Sequence, residues 1–166
     1  MSGWEGYIYL LQHSYDRDRK DYSRTNCCEH AAIIGNDGIA WAVSSDWPLL
    51  KEYNHTFTND QGGQSEILVN EFNCAMGVAN GNRSPCAAGI LMGSQKYAYI
   101  KQDDKSKAHC LVSPGKGGAC VGKLAKCIII ATWNNDAKAS DGSPQNMDLC
   151  ADQVGKLMKL LQEHGF

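Results

Sequence analysis

The segment Cys127-Ile128-Ile129-Ile130-Ala131-Thr132-Trp133 constrains the fold more than any other part of the chain. It is the most apolar stretch, and a β-branched run between polar flanks predicts a strand at the centre of a sheet. A second strong signal lies far upstream. His30-Ala31-Ala32-Ile33-Ile34-Gly35 reads as an apolar strand, and Asn36-Asp37-Gly38 supplies residues that tolerate positive φ. Ile39, Trp41 and Val43 then alternate on one face of the return strand. Further strands are predicted over 87–92 and 96–101 around Gly93-Ser94. Two more, over 109–112 and 119–124, flank Ser113-Pro114-Gly115-Lys116-Gly117-Gly118.

Helices are predicted at three places. Ser2 as N-cap and Glu5 at N3 form a capping box, and Trp4, Tyr7, Ile8 and Leu11 follow on one helical face. A second helix is predicted over 65–80, with Leu68, Phe72, Ala75, Met76 and Ala79 as its stripe and Gly81 as its stop. The third opens at Ser143-Pro144 as N-cap and N1. It carries Met147, Cys150, Val154, Leu157, Met158 and Leu161 and closes at Gly165. Residues 13–26, 44–64 and 134–142 read as polar loops. Hairpin connections dominate, so the class is α+β with a mostly antiparallel sheet, and the two terminal helices lie side by side on one face.

Composition narrows the function. The chain has 166 residues, 43% of them apolar and 20% charged, which is globular rather than disordered. Sixteen basic against eighteen acidic side chains leave a net charge of −2, so no global field favours nucleic acid or a membrane. No apolar run is long enough to span a bilayer, and Met1-Ser2-Gly3-Trp4-Glu5 is not the start of a secretory signal. A soluble intracellular protein is expected. The eight cysteines are then expected as reduced thiols, and without a CxxC pair or clustered histidines no metal or cofactor is expected. Cys27-Cys28 follow a polar segment and are expected to be the more exposed thiols. Pro114-Gly115-Lys116-Gly117-Gly118 lacks the GxxxxGK[ST] pattern of a phosphate loop.

In order along the chain, several pieces together resemble the profilin family. They are Ser2-Gly3-Trp4 with Tyr7, the stretch from Ala31 through Gly35-Asn36-Asp37-Gly38 to Trp41-Ala42, Ser94-Gln95-Lys96-Tyr97, Lys116-Gly117-Gly118-Ala119, and Leu160-Leu161-Gln162-Glu163-His164-Gly165-Phe166. The chain is longer than a typical profilin, with extra residues after the first helix, between Trp47 and Ser65, and before the last helix. In this it is similar to the enlarged profilins of single-celled eukaryotes.

The resemblance implies a single domain over 1–166. Its antiparallel sheet would have about six or seven strands, terminal helices on one face and a further helix on the other. It also implies a non-catalytic cytoplasmic regulator of actin polymerisation, associated with the cytoskeleton. Its partners would be monomeric actin, proline-rich proteins such as formin-type nucleators, and phosphoinositide lipids.

The positions that match the family's proline-ligand groove are Trp4, Tyr7, Trp41, Leu160 and Phe166. Leu160 stands where the family often has Tyr or His, so a ring or donor is missing there and affinity is expected to be reduced. For the actin surface the resemblance points to Lys116, Gln153, Lys156, Arg83 and Lys107, with Gln153 and Lys156 on one exposed face of the last helix. Basic residues for phosphoinositides would be Arg17, Arg19, Lys20 and Arg24, nearly cancelled by Asp16, Asp18 and Asp21, together with Lys123 and Lys126. Two other readings stand beside this one. One is a longin- or roadblock-like scaffold domain of similar architecture. The other is a thiol-dependent enzyme using Cys110 or Cys27 with a histidine.

Overall fold

The computed structural model describes residues 3–16, 21–44, 47 and 50–166, with the backbone alone at 14–16 and 21–24. The elements are α1 (Glu5–Gln12), β1 (Ser14–Asp16), β2 (Asp21–Arg24), β3 (His30–Gly35), β4 (Ala40–Val43), β5 (Glu52–Thr58), β6 (Gln64–Asn70) and α2 (Glu71–Ala79). They continue with β7 (Ile90–Met92), β8 (Gln95–Gln102), β9 (His109–Ser113), β10 (Gly117–Lys123), β11 (Cys127–Asn134) and α3 (Met147–Glu163).

Seven strands form one antiparallel sheet in the order β4-β3-β11-β10-β9-β8-β7. Side chains alternate across a strand, so β11 serves two layers at once. Cys127, Ile129, Ala131 and Trp133 pack in the cluster that holds Ile8 and Leu11 of α1 and Val154, Leu157 and Leu161 of α3. Ile128 and Ile130 pack in the opposite cluster, with Ala75, Val78 and Ala79 of α2. A strand covered on both faces has no need of polar residues, which accounts for its unbroken apolar run. Ile128, Ile129 and Ile130 are fully buried, and each such side chain stabilises the fold by about 1.5–3 kcal/mol.

The expected α+β architecture is present, with terminal helices on one face and a further helix on the other. Several local expectations are corrected. Residues 13–26 are not all loop, because β1 and β2 pair as a short hairpin. Residues 64–70 are strand rather than the first half of a helix: β6 pairs with β5 from Glu52↔Asn70 to Thr58↔Gln64. This second hairpin stands apart from the main sheet and packs Tyr53, Phe57, Ile67 and Val69 around Cys74, Ala88 and Leu91. Helix α2 starts only at Glu71, where Asn70 caps it by accepting from the Asn73 N–H.

Glu71 anchors that hairpin. Its buried carboxylate accepts from the Lys51 N–H, the Tyr53 hydroxyl and the Ser94 N–H. The third helix is capped by Asn146, which accepts from the Leu149 N–H, and not by Ser143. Trp4 rather than Ser2 is the N-cap residue of α1, so Glu5 is its first residue and not N3; Ser2 lies outside the described residues. Cys27 and Cys28 are fully buried, contrary to the exposure expected of them.

Gly118 shows how closely these layers approach. A Cβ there would clash with the Leu111 carbonyl oxygen and the Trp133 ring. The carbonyl belongs to a paired strand and cannot yield. Gly118→Ala is therefore expected to cost about 1–3 kcal/mol, read as a lower urea midpoint; an unchanged midpoint would contradict this packing.

Candidate functional site: an aromatic shelf built from both chain ends

Helix α1 buries Ile8 and Leu11 against α3 and the sheet, which leaves Trp4 and Tyr7 half-buried at its opening turn. Its far end is tied to α3. The Gln153 side chain is 1% exposed, and its amide nitrogen donates to the carbonyls of Leu10 and Leu11 at 3.1 and 3.2 Å. These carbonyls lie in the last turn of α1, where no helical partner is available. Gln153 is thus a tie between helices, not the exposed actin contact expected of it.

Helix α3 ends in a glycine-dependent turn. Gly165 adopts φ 86°, its N–H donates to the Gln162 carbonyl, and the Phe166 N–H donates to the Leu161 carbonyl. This pair of bonds is a Schellman motif, which favours glycine because side chains strain the left-handed region. The reversal throws the Phe166 ring back over the start of α1.

The third contributor comes from a bulge. Ile33 pairs with Ala42 and Ile34 with Ala40, so Trp41 is the extra residue between them. A bulge re-aims a side chain. Trp41 consequently packs with the α1/α3 cluster, whereas Val43 and Ala40 pack with the α2 cluster. The expected alternation of Ile39, Trp41 and Val43 on one face is corrected accordingly. Ile39 is 64% exposed.

The rings meet in one continuous surface. Trp4 lies 5.2 Å from Tyr7, 4.7 Å from Trp41 and 5.0 Å from Phe166, and Trp41 lies 5.9 Å from Phe166, all between centroids. Their angles are tilted or edge-on, the favoured arrangements for aromatic pairs. All four rings remain partly open to solvent. Leu160 packs at the same cluster, also half-buried, as an aliphatic member of the surface. The structure therefore brings Trp4, Tyr7, Trp41, Leu160 and Phe166 together from three separate parts of the chain.

The basic residues expected at a second surface do not form one group. Lys156 and Lys105 both approach Asp152, at 3.2 and 3.7 Å, beside the turn that holds Lys107. In that turn the Ser106 N–H and hydroxyl donate to Asp103 and hold its carboxyl below the usual range. Arg83 instead stacks over Tyr99, 5.1 Å from its centroid, on the α2 side of the sheet. Lys116 is exposed in the β9–β10 turn, at the other end of β9.

What the sequence did not reveal is an uncovered apolar strip on the α3 side of the sheet. Ala98 and Val112 are cross-strand neighbours there, next to a buried Gly118 that the Trp133 ring covers; Lys101 stands opposite Cys110, and Met147 opens α3 beside the same cluster. Ala98 is exposed and Val112 half-buried.

Of the basic residues considered for acidic lipids, Arg17, Arg19 and Lys20 and the side chain of Arg24 lie outside the described residues. Lys123 donates to Asn80, and Lys126 sits over Phe166. Cys110 is fully buried and accepts a thiol hydrogen bond from Cys120 at 3.8 Å, which pulls its pKa down. Its neighbour His109 points to the other face, where it bonds the Tyr99 hydroxyl. Among the described residues, no group of three or more His, Cys, Asp or Glu side chains is arranged to hold a metal ion.

Comparison with known proteins agrees with this architecture. The family model described as Profilin matches residues 3–166. A profilin of Tetrahymena pyriformis is 28% identical over 169 aligned residues that cover all of both chains. Mouse profilin IIa, solved in complex with a double repeat from the FH1 domain of mDia1, has a similar fold at TM-score 0.58 and 17% identity over 99% of each chain. The profilin of the LokiProfilin2/rabbit actin complex is similar at TM-score 0.54 and 16% identity over 98% of each chain.

The shelf's dependence on the last turn is testable. Alanine at position 165 would be strained by about 1–2 kcal/mol in the left-handed region. Gly165→Ala is expected to unwind that turn and release Phe166. Tryptophan emission should shift, with the urea midpoint lowered by no more than a loss of about 1–2 kcal/mol allows. Unchanged emission would contradict the geometry.

Proposed function

The chain belongs to the profilin family, and from that premise we propose that it binds monomeric actin and proline-rich ligands and so regulates actin polymerisation. The aromatic shelf is the observation that carries this reading. A proline-rich segment is already extended as a polyproline II helix, so little entropy is lost on docking. Its rings pack flat on aromatic faces. Its carbonyls have no internal partners, and the indole N–H groups of Trp4 and Trp41 and the Tyr7 hydroxyl are the donors that would meet them. The FH1 repeat bound to mouse profilin IIa is a ligand of this kind in a relative of the same fold.

For actin, the reading places contact on the α3 side of the sheet. The pair Ala98 and Val112 supplies an apolar centre, and Lys101, Lys107 and Lys156 supply a charged rim. Lys116 remains a candidate at the far edge, Arg83 would require a partner reaching the opposite face, and Gln153 is removed by its burial. The rabbit actin complex of LokiProfilin2 supports the choice of partner. Family membership leaves no role for a longin- or roadblock-like scaffold.

Two variants separate the surfaces. The protein should be retained on a polyproline resin and should slow spontaneous actin assembly. Trp4→Ala should weaken resin binding roughly tenfold or more, as removal of a central indole commonly does, while actin assembly is still slowed. Val112→Glu should do the reverse. If the unaltered protein neither stays on the resin nor slows assembly, the reading fails.

A further inference from the structure

The shelf ends at a cation. Lys126 lies in the turn between β10 and β11, and its Nζ sits 5.6 Å from the centroid of the Phe166 ring. The backbone under it is fixed from outside the turn. The Asn36 amide donates to the Ala125 carbonyl at 2.8 Å, and the Asn36 N–H donates to the Lys126 carbonyl at 3.2 Å. Asn36 begins the turn between β3 and β4, so the turn that carries the cation is tied to the hairpin that carries Trp41. Among the described residues no carboxylate pairs with Lys126.

Resting on the proposed proline-ligand reading, we infer that Lys126 selects proline tracts with an acidic residue at the end that lies over Phe166. The spacing supports this. From Tyr7 to Trp4, Trp4 to Phe166 and Phe166 to Lys126 the steps are 5.2, 5.0 and 5.6 Å. A polyproline II helix rises about 3.1 Å per residue, so at most about five residues reach from the first ring to the ammonium. A tract of up to about five residues seated on the rings therefore brings its flanking residue within reach of Lys126.

The energetics point the same way. A neutral ligand that covers Phe166 disturbs the ammonium–ring contact and offers the cation only neutral carbonyl acceptors in return. A carboxylate at that position supplies an opposite charge. Because the group is exposed, the preference is modest and falls with salt.

The test uses the full chain and three synthetic peptides with the same proline tract. One has neutral flanks, one has Glu immediately before the tract, and one has Glu immediately after it. Binding is followed by tryptophan fluorescence at low and high salt, for the unaltered protein and for Lys126→Ala and Lys126→Glu. One of the two acidic peptides should bind roughly two- to fivefold more tightly than the neutral one at low salt. That advantage should shrink at high salt, vanish in Lys126→Ala and reverse in Lys126→Glu, with neutral-peptide affinity much less affected. Equal affinities for all three peptides, or an advantage that persists in Lys126→Ala, would overturn the inference and leave the shelf reading intact. Failure of every peptide to bind would overturn both.

Discussion

Burial of Ile8 and Leu11 against α3 and the sheet is the contact on which the candidate site rests. A short helix at the start of a chain has little stability of its own, because nucleation is unfavourable and few hydrogen bonds follow. Here α1 has eight residues. It is held by apolar packing on one side and by the Gln153 amide at its C-terminal carbonyls. These contacts fix its axis. With the axis fixed, Trp4 and Tyr7 can remain partly open without drifting.

Two backbone devices then complete the shelf, and neither is apolar packing. A bulge turns Trp41 to the helical side of an edge strand, and a left-handed glycine turns Phe166 back from the end of α3. Gly35 adds a constraint, since a Cβ there would sit 2.8 Å from the Trp41 indole nitrogen. The rings are therefore positioned by their own backbones and by each other. Prior positioning reduces the ordering that a ligand must impose.

The main sheet was legible because its strands are apolar and are punctuated by Asn36-Asp37-Gly38 and Ser113-Pro114-Gly115. The β5–β6 hairpin was not: its burial alternates, but its inward side chains cover only a small cluster and include His55 and Ser65, so the apolar signal is diluted. Leu68 also falls in helical register with Phe72, Ala75 and Met76, which extended the predicted helix backwards over a strand. Yet Ile67 and Val69 are β-branched residues two apart, a strand signal that the longer helical stripe concealed. Gln153 sits three residues after Cys150 and one before Val154, inside the buried stripe. Its polarity suggested an exposed contact, although its position implied burial. The five groove positions came from family resemblance. Spacing alone could not have joined residues 4, 41 and 166, whose meeting depends on tertiary packing.

The central claim is that indoles from the chain's start and from the first hairpin of the sheet act as one ligand surface. The four tryptophans make this directly observable. Trp47 and Trp133 are 8% and 6% exposed, and neither is among the rings that meet at the shelf. Indole N–H resonances, assigned by substitution and followed in an NMR titration with a proline-rich peptide, should shift together for Trp4 and Trp41 and stay nearly constant for Trp47 and Trp133. Shifts confined to Trp47 or Trp133, or a response from Trp4 without Trp41, would contradict the account.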